Sequence, residues 1–85
     1  MIVRGKVTLE IMIGSSEDCN TAKLSLLPDE RGLPPGVSSS IECVDGKLVY
    51  EVTYSIDVSR LLSVYNTIDD FIRNLRVIMN SLSKI

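Results

Sequence analysis

The chain has 85 residues, 45% of them hydrophobic and 24% charged, which is the composition of one small globular domain spanning residues 1–85. Nothing in it approaches the roughly 20 consecutive apolar residues of a membrane span. Nine basic against eleven acidic residues, a net charge of -2, exclude a polyanion binder that uses its whole surface.

The N-terminus, MIVRGKVTLE, alternates apolar and charged residues and so reads neither as a signal peptide nor as a transit peptide, which places the protein in the cytoplasm. From Val3 to Ile13 the odd positions are Val, Gly, Val, Leu, Ile and Ile, and the even ones from Arg4 to Met12 are Arg, Lys, Thr, Glu and Met. That period of two predicts a half-buried strand. Gly14 breaks it. Ser15 or Ser16 then offers a helix cap, with Glu17 and Asp18 well placed in the first turn. Cys19, Ala22 and Leu26 fall on one side of this short helix and Leu24 points away from it. Pro28 ends it near Leu27, because proline disfavours helical geometry in the residue before it.

Three prolines and two glycines within Pro28–Gly36 make a loop of restricted backbone freedom. Beyond it, Asp45 and Gly46 separate two extended runs, and an Asp-Gly pair accepts the positive φ angles of a tight hairpin turn. With that turn Val44 faces Lys47, Cys43 faces Leu48, Ile41 faces Tyr50, Ser39 faces Val52 and Val37 faces Tyr54. The apolar sets then coincide, whereas a shift of one residue would set them against Glu42 and Ser40.

The longest periodic segment closes the chain, from Asp57 to Leu82. Leu61, Val64, Tyr65, Ile68, Phe71, Ile72, Leu75, Ile78, Met79 and Leu82 recur at steps of three and four, which collects them on one side of an α-helix. They span about 140°, more than the roughly 100° that covers one core face, so part of the stripe exceeds what the core needs. Leu62 and Val77 lie about 100° and 160° from Leu61 and mark a second contact face. Asp57 or Ser59 caps this helix, and Asp69 and Arg73 are spaced for an ion pair worth about 0.3 kcal/mol.

The order is strand, helix, strand, strand, helix. A right-handed crossover after the first strand sets the second parallel to it but not adjacent, and the third fits between them. The prediction is an α+β sandwich of two layers, with a three-stranded antiparallel sheet, both helices on one face and the other face polar.

Reactive chemistry is scarce. With no histidine, no GxxxxGK loop and no GxSxG elbow, the common routes to nucleophilic, phosphoryl or hydride transfer have no visible residues. Asp69 and Asp70 are helix neighbours that point about 100° apart and do not converge on one atom. Cys19 and Cys43 lack the ligand spacing of a zinc site and read as small core residues. The expectation is a protein that is not an enzyme and needs no cofactor or metal. Arg4, Lys6 and Lys47 are the candidate RNA contacts on the exposed sheet face. Glu10, Glu42 and Glu51 share that face, and no aromatic alternates with the bases for stacking.

The segment AKLSLLPDE, from Ala22 to Glu30 with its step Leu27, Pro28 and Asp29, closely resembles the helix-end motif of the Pcc-type small subunit of the KEOPS complex. The eukaryotic relatives of that family include the CTAG and LAGE antigens. The leading strand, the hairpin whose second strand is LVYEVTYSID and the closing helix that begins Ser-Arg-Leu-Leu-Ser-Val-Tyr-Asn are similar to the family layout over nearly the full length. The resemblance implies a non-catalytic dimerisation subunit of the archaeal and eukaryotic machinery that makes threonylcarbamoyladenosine in tRNA. It implies pairing with a second copy or a paralogue, helices bundled with the actin-like catalytic ATPase subunit, and a contribution to tRNA binding.

On that footing the partner-binding residues are Leu24, Leu62 and Val77, with the outer part of the long stripe. The long first strand, if it lies at an edge, leaves unpaired amides for self-association. Antiparallel pairing about Thr8 would set Lys6 opposite Glu10 of the other chain. The competing expectation is a stand-alone KH-like RNA-binding module that recognises RNA through the sheet face or the Pro28–Gly36 loop.

Overall fold

The computed structural model describes residues 1–26 and 32–82. The elements are β1 (Ile2–Met12), α1 (Ser16–Leu26), β2 (Val37–Val44), β3 (Lys47–Asp57), a short 3-10 turn (Val58–Arg60) and α2 (Leu61–Leu82). The helix-end step at Leu27, Pro28 and Asp29, and the Pro28–Gly36 loop as far as Arg31, lie outside the described residues.

The sheet has the order β1-β3-β2, with β3 antiparallel to both neighbours. Turn chemistry sets its register. Asp45 and Gly46 both adopt positive φ, 52° and 76°, which is the pair of left-handed residues that matches the twist of a hairpin. Val44 then pairs with Lys47, Cys43 with Leu48, Ile41 with Tyr50, Ser39 with Val52 and Val37 with Tyr54. The Gly46 carbonyl also accepts hydrogen bonds from the Ile13 and Gly14 amides, both at 3.1 Å, which fastens the end of β1 to the hairpin tip. A Cβ at Gly46 would lie 2.8 Å from the Gly14 carbonyl oxygen, so this junction needs glycine for space as well as for φ.

Gly5 has a different cause. It pairs with Tyr54 across β1 and β3, and the Tyr54 ring lies directly where a Gly5 side chain would stand. The ring thus covers the gap that glycine leaves in the inner row of β1.

Both helices lie on the face lined by Leu48, Tyr50, Val52 and Ile56 of β3 and Val37 and Ile41 of β2, all buried. Phe71 of α2 stacks on Tyr50 with ring centroids 3.6 Å apart and planes 2° apart, and both are fully buried. Val64 and Leu75 flank Phe71, and Cys19, Ala22 and Leu26 of α1 complete the core. No charged or polar residue is buried among the described residues. On the other face the inner and outer rows separate as strand geometry requires: Arg4, Lys6, Thr8, Glu10, Ser38, Ser40, Glu42 and Thr53 point to solvent.

The cysteines depart from the sequence expectation. Cys19 is a fully buried core residue, but it is bonded to half-buried Cys43, with their Cα atoms 6.0 Å apart. The strand alternation puts Cys43 on the inner face of β2, and the crossover lays α1 on it. Their separation of 24 residues along the chain says nothing of that meeting. Closing a loop of this length stabilises a fold by about 3 to 4 kcal/mol in the chain-entropy account.

Helix ends have named caps. Ser15 Oγ accepts from the Asp18 amide at 3.1 Å, so Ser15, not Ser16, caps α1. Asp57 caps the turn that leads into α2, accepting from the Ser59 amide at 3.0 Å and the Ser59 hydroxyl at 2.6 Å, with the α-amino group of Met1 at 3.2 Å from its other oxygen. The two Ser59 hydrogen bonds, then the Met1 amino group, hold the Asp57 carboxyl below the usual carboxylate range. A carboxyl whose pKa is lowered by folding stabilises the fold above its unfolded pKa and loses that contribution as pH falls through the folded value. Asp57→Asn will therefore be less stable than wild type at neutral pH, and the gap will close in strong acid. Urea titrations followed by circular dichroism at both pH values measure it, and an equal gap at both would contradict the assignment.

Candidate functional site

Ten apolar positions of α2 share one stripe in sequence, and the fold divides them by angle. Taking Leu61 as zero and about 100° per residue, the arc from Ile78 through Phe71, Leu82 and Leu75 to Ile68 faces the sheet. Phe71 and Leu75 are buried on it, with Val64 beside them, and Ile68, Ile78 and Leu82 are half-buried. Leu61, Ile72 and Tyr65, at about 0° to 40°, are exposed, so these three leave the expected core set. The reason is geometric: a sheet covers only about 100° of a helix.

The exposed residues continue into the second face. Leu62 and Val77 stand 67% and 64% in solvent, and Tyr65 stands 65%. Interleaved with them are Asp69 and Arg73, joined by an ion pair of 2.9 Å, and Arg76. Asp69, Ile72, Arg73 and Arg76 line one shallow surface concavity. The result is a long flank with apolar side chains, one tyrosine and two arginines, the residue types that anchor protein interfaces. Leu24, 68% exposed, is the corresponding apolar residue on α1. Sequence periodicity singled out Leu24, Leu62 and Val77 together with the outer part of the wide stripe, where Tyr65 and Ile72 lie; Arg76 was missed.

A second incomplete surface lies along β1. Its inward residues Val3, Val7, Leu9 and Ile11 are half-buried, while their partners across the ladder, Ile56, Val52, Tyr50 and Leu48, are buried. The helices bear on β2 and β3, so the inner face of β1 is covered from one side only. β1 is also an outer strand of the sheet, with 11 residues against 8 in β2. Thr8 sits at its middle with Lys6 and Glu10 on either side, all pointing away from the helices.

The basic residues of the outer face have acidic neighbours. Lys6 meets Glu51 at 3.4 Å, Lys47 meets Glu10 at 3.5 Å, and Lys23 of α1 meets Glu42 at 3.7 Å. These exposed pairs each add little stability, but they cancel the local charge that would attract a phosphate backbone. Of the three candidate RNA contacts, Lys6 and Lys47 are thus paired, and Arg4 has no ion pair among the described residues. No group of three or more Cys, Asp or Glu among the described residues could hold a metal ion. Among the described residues, no helix is long and apolar enough to cross a membrane. In comparison with known proteins, no family model matches the chain and no curated protein matches its sequence.

The division between core and flank has a direct mutational consequence. Leu62→Asp combined with Val77→Asp will change the free energy of unfolding by no more than about 0.5 kcal/mol. Phe71→Ala, which removes the ring stacked on Tyr50, will cost about 3 to 5 kcal/mol. Denaturant titration of both variants reads the contrast, and a double variant as unstable as Phe71→Ala would return Leu62 and Val77 to the core.

Proposed function

We propose that this chain is a non-catalytic dimerisation subunit of a KEOPS-type complex, acting in the cytoplasm in support of threonylcarbamoyladenosine modification of tRNA. Its work is to present helical surface to the actin-like catalytic ATPase subunit. The observation that carries the reading is that Leu24, Leu62 and Val77 each stand in solvent although the core is filled without them. The helix-end resemblance at Ala22–Glu30 supplies the identity of the complex. The absence of histidine, and of any buried acidic or basic side chain among the described residues, is consistent with a scaffold.

The second partner in this reading is another copy of the chain, or a paralogous small subunit, paired along β1. Antiparallel pairing about Thr8 would place Lys6 across from Glu10 of the mate and extend the existing Lys6–Glu51 and Lys47–Glu10 pairs across the junction. It would also satisfy the unpaired edge of β1 and add cover beside its half-open inner row. Contact with tRNA is weak or indirect on this account, because Lys6 and Lys47 already have acidic neighbours, which leaves Arg4 as the one candidate contact without an ion pair among the described residues.

The partner role is tested by capture of the purified catalytic subunit on this chain. Leu62→Asp with Val77→Asp will weaken capture by at least about tenfold, the size expected when buried interface anchors are lost, and unchanged capture would remove the helical flank from the interface. Tight, salt-sensitive tRNA binding by the isolated chain would instead favour an RNA-binding module. For the edge, light scattering at micromolar concentration will give a dimer and Thr8→Pro will give a monomer. A dimeric Thr8→Pro would rule out pairing along β1.

A further inference from the structure

The α1 helix is held to the rest of the molecule by few side chains. Beyond Cys19, its buried residues are Ala22 and Leu26. Lys23 reaches Glu42 across the same seam, but that pair is largely exposed and contributes little. At 11 residues α1 is also shorter than the roughly 12 to 15 that make an isolated helix even marginally stable. By contrast, nine of the eleven residues of the buried hydrophobic cluster, Leu48, Tyr50, Val52, Val64, Phe71 and Leu75 among them, come from outside α1, which gives it only Cys19 and Leu26. Most of the cluster thus persists without α1, and one of the two residues that α1 supplies to it is held by the disulfide.

We propose that the Cys19–Cys43 bond is a reversible redox brace: oxidised, it holds α1 on the sheet; reduced, it lets α1 open as a separate unit while β1–β3 and α2 stay folded. The placement of the two sulfurs gives the direction of the chemistry. Cys19 is fully buried, whereas Cys43 is half-buried near the end of β2, an outer strand. A small thiolate therefore attacks Cys43 Sγ. The Cys19 sulfur leaves as thiolate and takes up a proton, and Cys43 is left in a mixed disulfide with the attacking thiol. A second equivalent of thiol attacks the small-molecule sulfur of that mixed disulfide and releases Cys43 as its thiol. Two electrons have passed to the protein, which carries two thiols, and the reductant leaves as its own disulfide.

The brace rests on the proposed cytoplasmic placement only for where it would operate. In that compartment protein disulfides are mostly transient and redox-sensing. Its mechanism is independent of any partner, and so is its test. Amide hydrogen exchange is measured on the intact chain as purified, after reduction with tris(2-carboxyethyl)phosphine, and after reoxidation with oxidised glutathione, with thiols counted at each stage. The expected result is no titratable thiol in the oxidised chain and two in the reduced one. Exchange over residues 16–26 will accelerate by at least about tenfold on reduction, as for a local opening, with β3 and α2 changing less than about twofold. Reoxidation will restore the protection.

Three results would each overturn the proposal. One is unchanged protection of α1 with both thiols titrated. Another is loss of protection throughout the chain on reduction. The third is a pair of thiols that oxidised glutathione cannot join. Cys43→Ser, which leaves Cys19 in place as a buried thiol, must reproduce the reduced pattern without any reductant.

Discussion

Tyr50 and Phe71 meet face to face at the centre of the molecule, and the position of each depends on a different part of the chain. Tyr50 is central because β3 is central: it pairs with β1 on one side and with β2 on the other, and the hairpin turn at Asp45 and Gly46 fixes which of its residues face inward. Phe71 is central because the cap at Asp57 starts the last helical segment at a defined phase, four turns of spacing then carrying Val64, Phe71 and Leu75 onto one line. If either phase slipped by one residue, the rings would part and the apolar rows would face water. Burial of the two aromatic rings thus couples the register of the sheet to the rotation of the helix.

That coupling explains what could be read from the sequence. The hairpin pairs, the strand order and the two-layer arrangement follow from local rules that act over a few residues: a turn that demands positive φ, a period of two, a period near 3.6, and a preferred crossover hand. The Asp57 and Ser15 caps stood among the alternatives, and the choice needed hydrogen-bond geometry. What the sequence could not give is the width of the sheet's footprint on α2. Leu61, Tyr65 and Ile72 satisfy the helical period as well as Phe71 does, and only the limited arc of the helix that the sheet covers leaves them outside. The disulfide was hidden for a related reason. Cys19 and Cys43 fit their apolar positions, and their proximity depends on how α1 lies across β2, which no spacing rule reports. The charge pairing of the outer face was hidden in the same way, since Lys6 and Glu51 become neighbours only once β1 lies beside β3.

The surplus apolar surface has its origin in chain length. A sheet of three strands offers one face to cover, and among the described residues two helices of 11 and 22 residues lie on it. They cover β2 and β3 and leave the inner row of β1 half open, because a domain of this size cannot bury more than about two thirds of its unfolded surface. A sequence free to minimise exposure would carry polar residues at Leu24, Leu62, Tyr65 and Val77, each about two thirds exposed. Single exposed apolar residues are ordinary on any protein. A long flank in which leucine, tyrosine, isoleucine and valine alternate with arginine is a composition suited to being covered. The same limit bears on α1: with only Cys19, Ala22 and Leu26 buried, its hold on the sheet includes a bond whose state depends on the surroundings. The features of this molecule that face outward, the flank, the edge and the brace, are therefore consequences of one shortage, a core too small to finish its own enclosure.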